Sequence, residues 1–483
     1  MIEFVANALK IRRSRVVEHM GALGRSSGSI LMIVALLGLS AVALSLIFGP
    51  LSLKTSGLTL LVPLSLVITV QSIFTLAGML YAWEEPERVE KNSSPKSFLP
   101  PHYSFTAILP ALHEERVIAD TIEAVSAIDY PEEHKEILVV CRSDDAETIA
   151  AATRAIKRIG KTNIRLIIPD FIPKNKPEKL NFALREATKD VICVFDAEDS
   201  PHPDIYHIVN TVMGRDSADV VQSGVQLVNF RSTWFSALNV LEYFFWFKSV
   251  LHLFAEKQVI PLGGNTVFFK RLWLERIGGW DGNCLTEDAD IGVALSVAGA
   301  SIRIIYDETH ATQEETPTTF ADFVKQRTRW NQGFIQIYKK GIWRQLPTFS
   351  QRFLVSYILL WPQIQAVLFV YVLCSIIMMF QMKLPLLITM ISLLPFYNLV
   401  MHFIVLNIGL YEFTKKFHLP YPWWMPLKLA VTFIPFQLGL GVGAIRALYR
   451  ELLKNTAWEK TRHVNAHRSN LAHASLIAVK NQA

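Results

Sequence analysis

The chain has 483 residues, of which 51% are hydrophobic and 19% are charged, and its formal net charge is +6. This length exceeds the usual size of one domain, and a mean hydropathy of +0.28 argues against an ordinary soluble enzyme. The four cysteines have no paired spacing, which argues against a disulfide framework or a zinc site and predicts reduced thiols.

Two apolar segments near the N-terminus predict two membrane spans. Residues 30–49 and 57–83 carry no charge, and each is long enough to cross a bilayer as a helix. A cleaved signal peptide is the alternative for the first segment, but that segment is long, starts late and is followed at once by the second. Basic residues before the first span predict a cytoplasmic N-terminus: Arg12, Arg13, Arg15 and Arg25.

The apolar character returns after residue 350. Residues 353–380 and 384–411 each predict a span. Residues 423–449 contain Pro435 and three closely spaced glycines, and a basic tail follows them. A broken, re-entrant or hairpin segment that returns to the cytoplasm is therefore preferred. One plain crossing with an external tail is the alternative, and charge counting does not decide between them.

These patterns divide the chain into four parts and predict a multi-pass protein of the plasma or inner membrane. Residues 1–84 are an N-terminal cytosolic segment with two transmembrane helices, and residues 85–345 are a globular domain facing the cytoplasm. Residues 346–450 are an interfacial and C-terminal transmembrane region, and residues 451–483 are a basic cytosolic tail.

The globular domain repeats the order strand, loop, helix. Short apolar runs that end in polar loops occur at 104–115, 136–148 and 190–204. Helical patterns accompany them at 117–128, 147–159 and 179–188. This alternation predicts an α/β fold with a parallel sheet and crossover helices.

Acidic residues follow all three predicted strands: Glu114 and Glu115, then Asp144 and Asp145, then Asp196, Glu198 and Asp199. Ligands of such sheets bind outside the carboxyl ends of the strands, so convergence in one crevice explains these acids better than solvated turns do. The sequence has no glycine-rich phosphate loop, and a diphosphate site without one commonly uses a divalent cation held by carboxylates. Asp196 and Glu198 lie on one side of an extended segment and are the predicted ligands of Mg²⁺ or Mn²⁺.

Four motifs occur in a specific order: Asp144-Asp145, DAED at 196–199, TED at 286–288 and QRTRW at 326–330. These motifs lie between the predicted N- and C-terminal membrane spans. In this arrangement, nearly the whole chain resembles the membrane-integrated family 2 glycosyltransferases, which include cellulose, hyaluronan and related β-glycan synthases. The resemblance implies a GT-A-like parallel-sheet cytosolic domain inserted between N- and C-terminal transmembrane helices.

The resemblance also implies roles for the motif residues. Asp288 takes the proton from an acceptor hydroxyl, whose oxygen then displaces the nucleotide from the anomeric carbon with inversion. Thr286 and Glu287 complete the catalytic motif, and Trp330 and Gly264 are expected at the acceptor. The donor nucleotide is expected to contact the following residues: Glu114, Asp144, Asp145, Lys176, Asp196, Gln326, Arg327 and Arg329.

Elementary chemistry supports several of these roles. Thr286 can cap the helix that follows it, and the helix dipole is expected to keep Asp288 ionised. Arg329 can neutralise a departing diphosphate, and Trp330 offers a flat face to a sugar ring. Alternatives stay open for two segments: 261–271, which contains Gly264, is a ligand-approaching loop or a simple turn, and 231–257 is an interfacial helix or a core helix. Two interpretations also stay open for Lys176, which either contacts the donor nucleotide or is a solvated lysine.

Two positions and the domain content depart from the family pattern. The second metal position is Glu198 where the motif has aspartate, so Asp199 can share the ion. The segment at 142–148 lacks the glycine common after the aspartates, which leaves open whether Asp144 or Asp145 contacts the uracil base. No cyclic-dinucleotide-binding domain is expected after the membrane region.

The predicted function is a processive inverting transferase that polymerises a β-linked polysaccharide from a UDP-sugar and exports it through its membrane domain. A glucan is the default product, by analogy only. The alternative is a non-processive enzyme that adds one sugar to a lipid or small acceptor. A transporter is disfavoured because the spans hold few charges and no internal repeat. The expected partners are the UDP-sugar, the growing glycan and the lipid bilayer, with no nucleic acid.

Overall fold

The computed structural model describes residues 53–173, 175–197, 199–369, 386–457 and 459. Several predictions fall outside these residues: the span 30–49, the metal ligand Glu198, Cys374 and most of the tail 451–483. Of the described residues, 53–70 and 386–396 belong to one compact unit. The second unit contains every strand of the sheet.

The strands are β1 (Phe105–Pro110), β2 (Lys135–Val140), β3 (Ile164–Ile167), β4 (Val191–Val194), β5 (Val220–Ser223), β6 (Val225–Leu227), β7 (Val267–Lys270), β8 (Ile302–Ile305) and β9 (Thr312–Glu314). The first helices are α1 (Leu53–Glu84), α2 (Pro86–Glu90), α3 (Ile118–Ser126), α4 (Ala146–Ile159), α5 (Lys176–Glu186), α6 (Ile205–Arg215), α7 (Ser236–Phe245) and α8 (Leu251–Glu256). The later helices are α9 (Arg271–Ile277), α10 (Glu287–Ala298), α11 (Phe320–Lys340), α12 (Phe349–Leu359), α13 (Trp361–Phe369), α14 (Leu386–Lys416) and α15 (Met425–Leu452).

Seven strands form one sheet in the order β3-β2-β1-β4-β7-β5-β8, and β6 pairs with β9 in a second sheet. Strands β1 to β4 pair in parallel, which confirms the parallel sheet predicted from the three strand–loop–helix repeats. Strand β7 runs antiparallel between β4 and β5, so the sheet is mixed. Because β1 lies between β2 and β4, a crevice forms outside the carboxyl ends of these strands.

The central strands are buried on both faces, which explains their continuous apolar sequences. Ile108 and Leu138 belong to one core, whereas their neighbours Leu109 and Val139 belong to the other, because successive side chains point to opposite faces. The sheet is thus a packed support for the loops at its edge. The described cysteines are free and buried: Cys141, Cys193 and Cys284.

Helix α11, which carries QRTRW, packs along α15. Glycines of α15 permit this approach: a Cβ at Gly439 would overlap the Phe320 ring, and one at Gly443 would lie 3.2 Å from the Arg327 Cβ. Helix α15 continues from Met425 to Leu452 although Pro435 lies inside it. The preferred prediction of a broken or hairpin segment is therefore wrong, because these glycines serve close helix packing.

Two described helices are long and apolar enough to cross a membrane, Leu64–Glu84 and Met425–Leu452. The pair Phe349–Leu359 and Trp361–Phe369, bent by 48°, would be a third if it forms one span. Helix α14 overlaps in sequence with the predicted span 384–411. Apolar helices are therefore present on both sides of the sheet domain in the sequence.

The aromatic-rich stretch 231–257 forms α7, a π-helical turn (Trp246–Val250) and α8. Most side chains of α7 are buried, including Phe244 and Phe245, which favours the core-helix interpretation. Single π-helical turns occur frequently at functional sites.

Candidate functional site

A cavity of about 940 Å³ lies within the second unit, at the carboxyl ends of β1 and β4. Pro110 at the end of β1 and Ala197 after β4 both line it. It also brings together predicted residues from six separate segments: Glu114, Lys176, Asp196, Gly264, Thr286, Glu287, Asp288, Gln326, Arg327, Arg329 and Trp330.

The TED motif forms the beginning of α10. Thr286 is the N-cap residue, but its side chain accepts no capping hydrogen bond, so the predicted capping role is wrong. The side chain packs against α11 instead, where a Cβ at Gly333 would overlap it. This contact joins the TED helix to the QRTRW helix.

Burial raises the pKa of both Glu287 and Asp288. For Asp288, the backbone N–H of Ala289 and the charge of Lys176 lower the pKa, but burial outweighs them. The helix dipole is predicted to keep Asp288 ionised, but burial has the larger effect on the pKa of this residue. A raised pKa suits a general base, because proton transfer is most efficient when that pKa lies near the working pH.

Lys176 lies among the acidic groups. Its Nζ donates to Asp196 Oδ1 at 2.5 Å and to the Gly264 carbonyl oxygen at 3.2 Å, and it lies 3.8 Å from Glu287 Oε1. Burial lowers the pKa of Lys176, but the charges of Asp196 and Glu287 outweigh burial and hold that pKa above its ordinary value. The ammonium group offsets the repulsion among the acids, so the interpretation of Lys176 as a solvated lysine is wrong.

The loop after β4 provides carboxylates to the site. Asp199 is buried and accepts hydrogen bonds from the Asp196 amide at 2.8 Å and from Asn265 Nδ2 at 2.7 Å. These bonds fix the backbone that presents Asp196 to the cavity. Carboxylate oxygens are the ligands that Mg²⁺ and Mn²⁺ prefer, so Asp196 fits the predicted cation.

The acids at the end of β2 have different surroundings. Asp145 is the buried N-cap of α4 and accepts hydrogen bonds from the Thr148 amide at 3.4 Å and the His113 amide at 2.6 Å. Asp144 is exposed and pairs with Arg142, which lines the cavity. Neither aspartate lines the cavity itself, so their contact with the donor stays a prediction.

Helix α11 presents Gln326, Arg327, Arg329 and Trp330 to the cavity. Arg327 donates to Asn239 Oδ1 at 2.5 Å and to Glu242 Oε2 at 2.6 Å. Its guanidinium carbon lies 4.5 Å from the Trp330 ring centroid. The pair with Glu242 therefore anchors Arg327 beside the predicted acceptor tryptophan. Arg329 donates to the Glu459 carbonyl oxygen at 3.4 Å.

Sequence reasoning did not identify Asn239, Glu242 or Asn265 as site residues. Glu242 gives a usable signal, because it is a lone acid in an apolar and aromatic run. Asn239 lies one helical turn before Glu242, so a helical reading of that run would have placed both on one face. Asn265 has no local signal beyond its position after two glycines.

Relatives of known sequence align with this chain, among them the two that follow. "Probable glycosyltransferase YdaM" of Bacillus subtilis is 26% identical over 230 residues, which are 47% of this chain and 54% of that protein. A poly-β-1,6-N-acetyl-D-glucosamine synthase of Staphylococcus aureus is 25% identical over 308 residues, which are 62% of this chain and 71% of that protein. The match thus spans about half the length of the first relative.

A solved structure of a mannosyltransferase, PcManGT from Pyrobaculum calidifontis in complex with GDP-Man and Mn²⁺, has a similar fold. The TM-score is 0.56 at 19% identity, over 81% of this chain and 99% of that chain. This likeness supports a GT-A-like fold with a mixed, mainly parallel sheet. Residues 100–333 match the family described as "Glycosyltransferase like family 2" and therefore form a family 2 glycosyltransferase domain.

Proposed function

We propose that the chain is an inverting, processive glycosyltransferase that builds a β-linked polysaccharide from a UDP-sugar at the cytosolic side of a membrane and exports it. The supporting observation is the cavity that Asp196, the TED motif and the QRTRW motif line together. The relative that makes a β-linked polymer, and the apolar helices that flank the domain in sequence, support the same proposal.

Asp288 acts as the general base. It accepts the proton of an acceptor hydroxyl while that oxygen forms a bond to the anomeric carbon and the bond to the nucleotide diphosphate breaks. A Cβ at Gly264 would lie 3.1 Å from Asp288 Oδ2, so the glycine keeps the space beside this carboxylate open. Trp330 positions the acceptor sugar, and Arg329 stabilises the departing diphosphate.

A cation on Asp196, Mg²⁺ or Mn²⁺, supplies positive charge to the diphosphate when it is bound. Asp196, with Glu198 as the second predicted ligand, would hold it. Lys176 balances the Asp196 carboxylate before the donor arrives, because its Nζ contacts this carboxylate directly.

A second candidate function is the transfer of one sugar to a lipid acceptor. The observation that favours it is the apolar part of the same cavity, which is lined by Phe74, Trp246, Tyr357, Trp361 and Leu406. Such a surface fits an acyl or prenyl chain as well as it fits the faces of sugar rings.

The test is the size of the product that purified protein makes from radiolabelled UDP-sugars with Mn²⁺. UDP-GlcNAc is the first donor to use, because the polymer-forming relative is a GlcNAc-polymer synthase, and UDP-glucose is the second. The proposal predicts a high-mass product that a linkage-specific glycosidase degrades. Single-sugar lipid adducts would replace it with the second function, and no incorporation from any UDP-sugar would overturn both.

A further inference from the structure

A second cluster of metal-ligating side chains lies outside the donor cavity. It consists of His202, Asp204 and His310, and one ligand atom from each lies within 4.8 Å of the other two. His202 Nδ1 is 3.9 Å from Asp204 Oδ2, and the two imidazole rings are 4.5 Å apart at 81°. In the part of the chain that the structure describes, no other group of three His, Cys, Asp or Glu residues meets this criterion.

Two loops that are distant in sequence form this cluster. His202 and Asp204 follow the Asp196 segment after β4, and His310 lies between β8 and β9. The backbone already joins these loops, because the Gln313 amide donates to the Ser200 carbonyl oxygen at 3.4 Å. The fold itself therefore holds the three side chains near one another.

The local geometry leaves the side chains suited to an ion. Asp204 is the N-cap residue of α6, yet its carboxylate makes no capping hydrogen bond and faces His202 instead. The Asp204 amide donates to His202 Nδ1 at 3.2 Å, and an ion bound at this nitrogen replaces that hydrogen bond. Asp307 Oδ1 lies 3.6 Å from His310 Nδ1, and a carboxylate behind a histidine is the usual device that orients a metal-binding ring. The three side chains are 24–37% exposed, so an ion can enter from solvent.

We propose that His202, Asp204 and His310 bind one divalent transition-metal ion, with Zn²⁺ as the best match. Two imidazoles, one carboxylate and a water molecule complete a tetrahedral zinc site, whereas Mg²⁺ prefers oxygen ligands alone. This site is separate from the predicted Mg²⁺ or Mn²⁺ site on Asp196, and it does not depend on the proposed function.

The ion ties together two walls of the donor cavity. The loop that holds His202 starts at Asp196, and the segment after His310 leads to Glu314, which lines the cavity and contacts Asn265. Zinc binding therefore stiffens the backbone that presents Asp196.

The experiment titrates Zn²⁺ into full-length, chelator-treated protein that carries no histidine tag, without nucleotide-sugar, by isothermal calorimetry and by thermal melting. The wild type binds one Zn²⁺ and melts at a higher temperature with it. The double variant His202→Ala/His310→Ala loses this affinity at least about tenfold and shows no shift in melting temperature. His102→Ala, which removes an exposed histidine outside the cluster, retains both.

Asp196→Asn separates this site from the donor site. The proposal predicts that Asp196→Asn still binds the zinc ion, and Asp204→Asn provides a milder loss if the double variant does not fold. Equal zinc binding by the wild type, the double variant and Asp204→Asn would overturn the proposal. Loss of zinc in Asp196→Asn alone would place the ion in the donor cavity and would overturn it as well.

Discussion

The ends of β2 and β4 carry the same kind of sequence, a buried apolar strand followed by clustered aspartates, but the structure uses them differently. After β2, Asp145 caps α4 and Asp144 pairs with Arg142 at the surface. After β4, Asp196 lines the cavity and contacts Lys176. An acid at a strand end is therefore not enough to predict a side chain that lines the cavity.

The length of the loop after each strand explains the difference. Helix α4 begins directly after Asp145, and the Thr148 amide three positions later needs an acceptor. Among the described residues of this segment, no helix begins after β4 until Ile205, so the loop has room to turn Asp196 inward. A lysine from another segment then balances it. The distance to the next helix start separates an aspartate that caps a helix from one that lines the cavity here.

Among substitutions at the two strand ends, Asp196→Asn should have the largest effect on kcat. The change keeps the shape of the side chain but removes the charge that meets Lys176 and the predicted cation. We expect kcat to fall by at least about 100-fold, because a charge-stabilising contact in a closed site is lost. Steady-state kinetics with saturating Mn²⁺ measures this, and a fall of less than about threefold would contradict the assignment.

The next effect is a shift of the pH profile in Lys176→Met. Lys176 lowers the pKa of both Glu287 and Asp288, so its removal raises these values further. The base must be deprotonated to act, so kcat/KM should fall on the acid side at a higher pH than in the wild type. Lys157→Met on the exposed face of α4 is the matched control and should leave the profile unchanged. An acid limb at the wild-type pH in Lys176→Met would exclude the coupling.

Asp145→Ala should act on stability rather than on kcat. Loss of an N-cap costs about 1 kcal/mol of unfolding free energy. Burial would raise the pKa of Asp145, but hydrogen bonds from His113 and Thr148 hold it below its ordinary value. The loss of unfolding free energy relative to the wild type should therefore be largest at neutral pH. It should shrink below about pH 4, where the carboxyl of the unfolded chain binds a proton. Denaturation at several pH values checks this, and a pH-independent difference would contradict it.

Asp144→Asn should have the smallest effect. Its carboxylate is exposed and contacts Arg142 at the rim of the cavity. We expect the donor KM to rise by about threefold or less, with kcat and melting temperature unchanged, because an exposed pair contributes little. A large fall in kcat would show that the two strand ends are equivalent.

Much of the sheet domain can be predicted from the sequence. The strands at 104–115, 136–148 and 190–204 and their helices stand where the apolar runs and helical patterns predict them. The antiparallel strand β7 cannot be predicted in this way, because its four residues are too few to show a direction. The insertion of β7 between β4 and β5 depends on tertiary contacts, which no local sequence pattern encodes.

The site is less evenly predictable. Three of the four motifs contain residues that line the cavity, because their chemistry is tied to short, rare residue patterns, whereas Asp144 and Asp145 do not line it. The predicted capping role of Thr286 is wrong because its side chain packs against Gly333, which belongs to a helix about 45 residues later in the chain. The predicted break in α15 is wrong because glycine signals either a turn or a close contact, and only the partner helix decides which. The anchor Glu242 depends on the same kind of long-range contact.

The proposed mechanism depends above all on Asp288, which removes the acceptor proton in the cavity that these motifs share. The decisive comparison is between Asp288→Asn and the wild type, for turnover and for the dissociation constant of the UDP-sugar. We predict a fall in turnover of at least about 100-fold, with donor affinity within about threefold of the wild type. Turnover close to the wild type, or an equal loss of donor affinity, would contradict the role of Asp288 as the base.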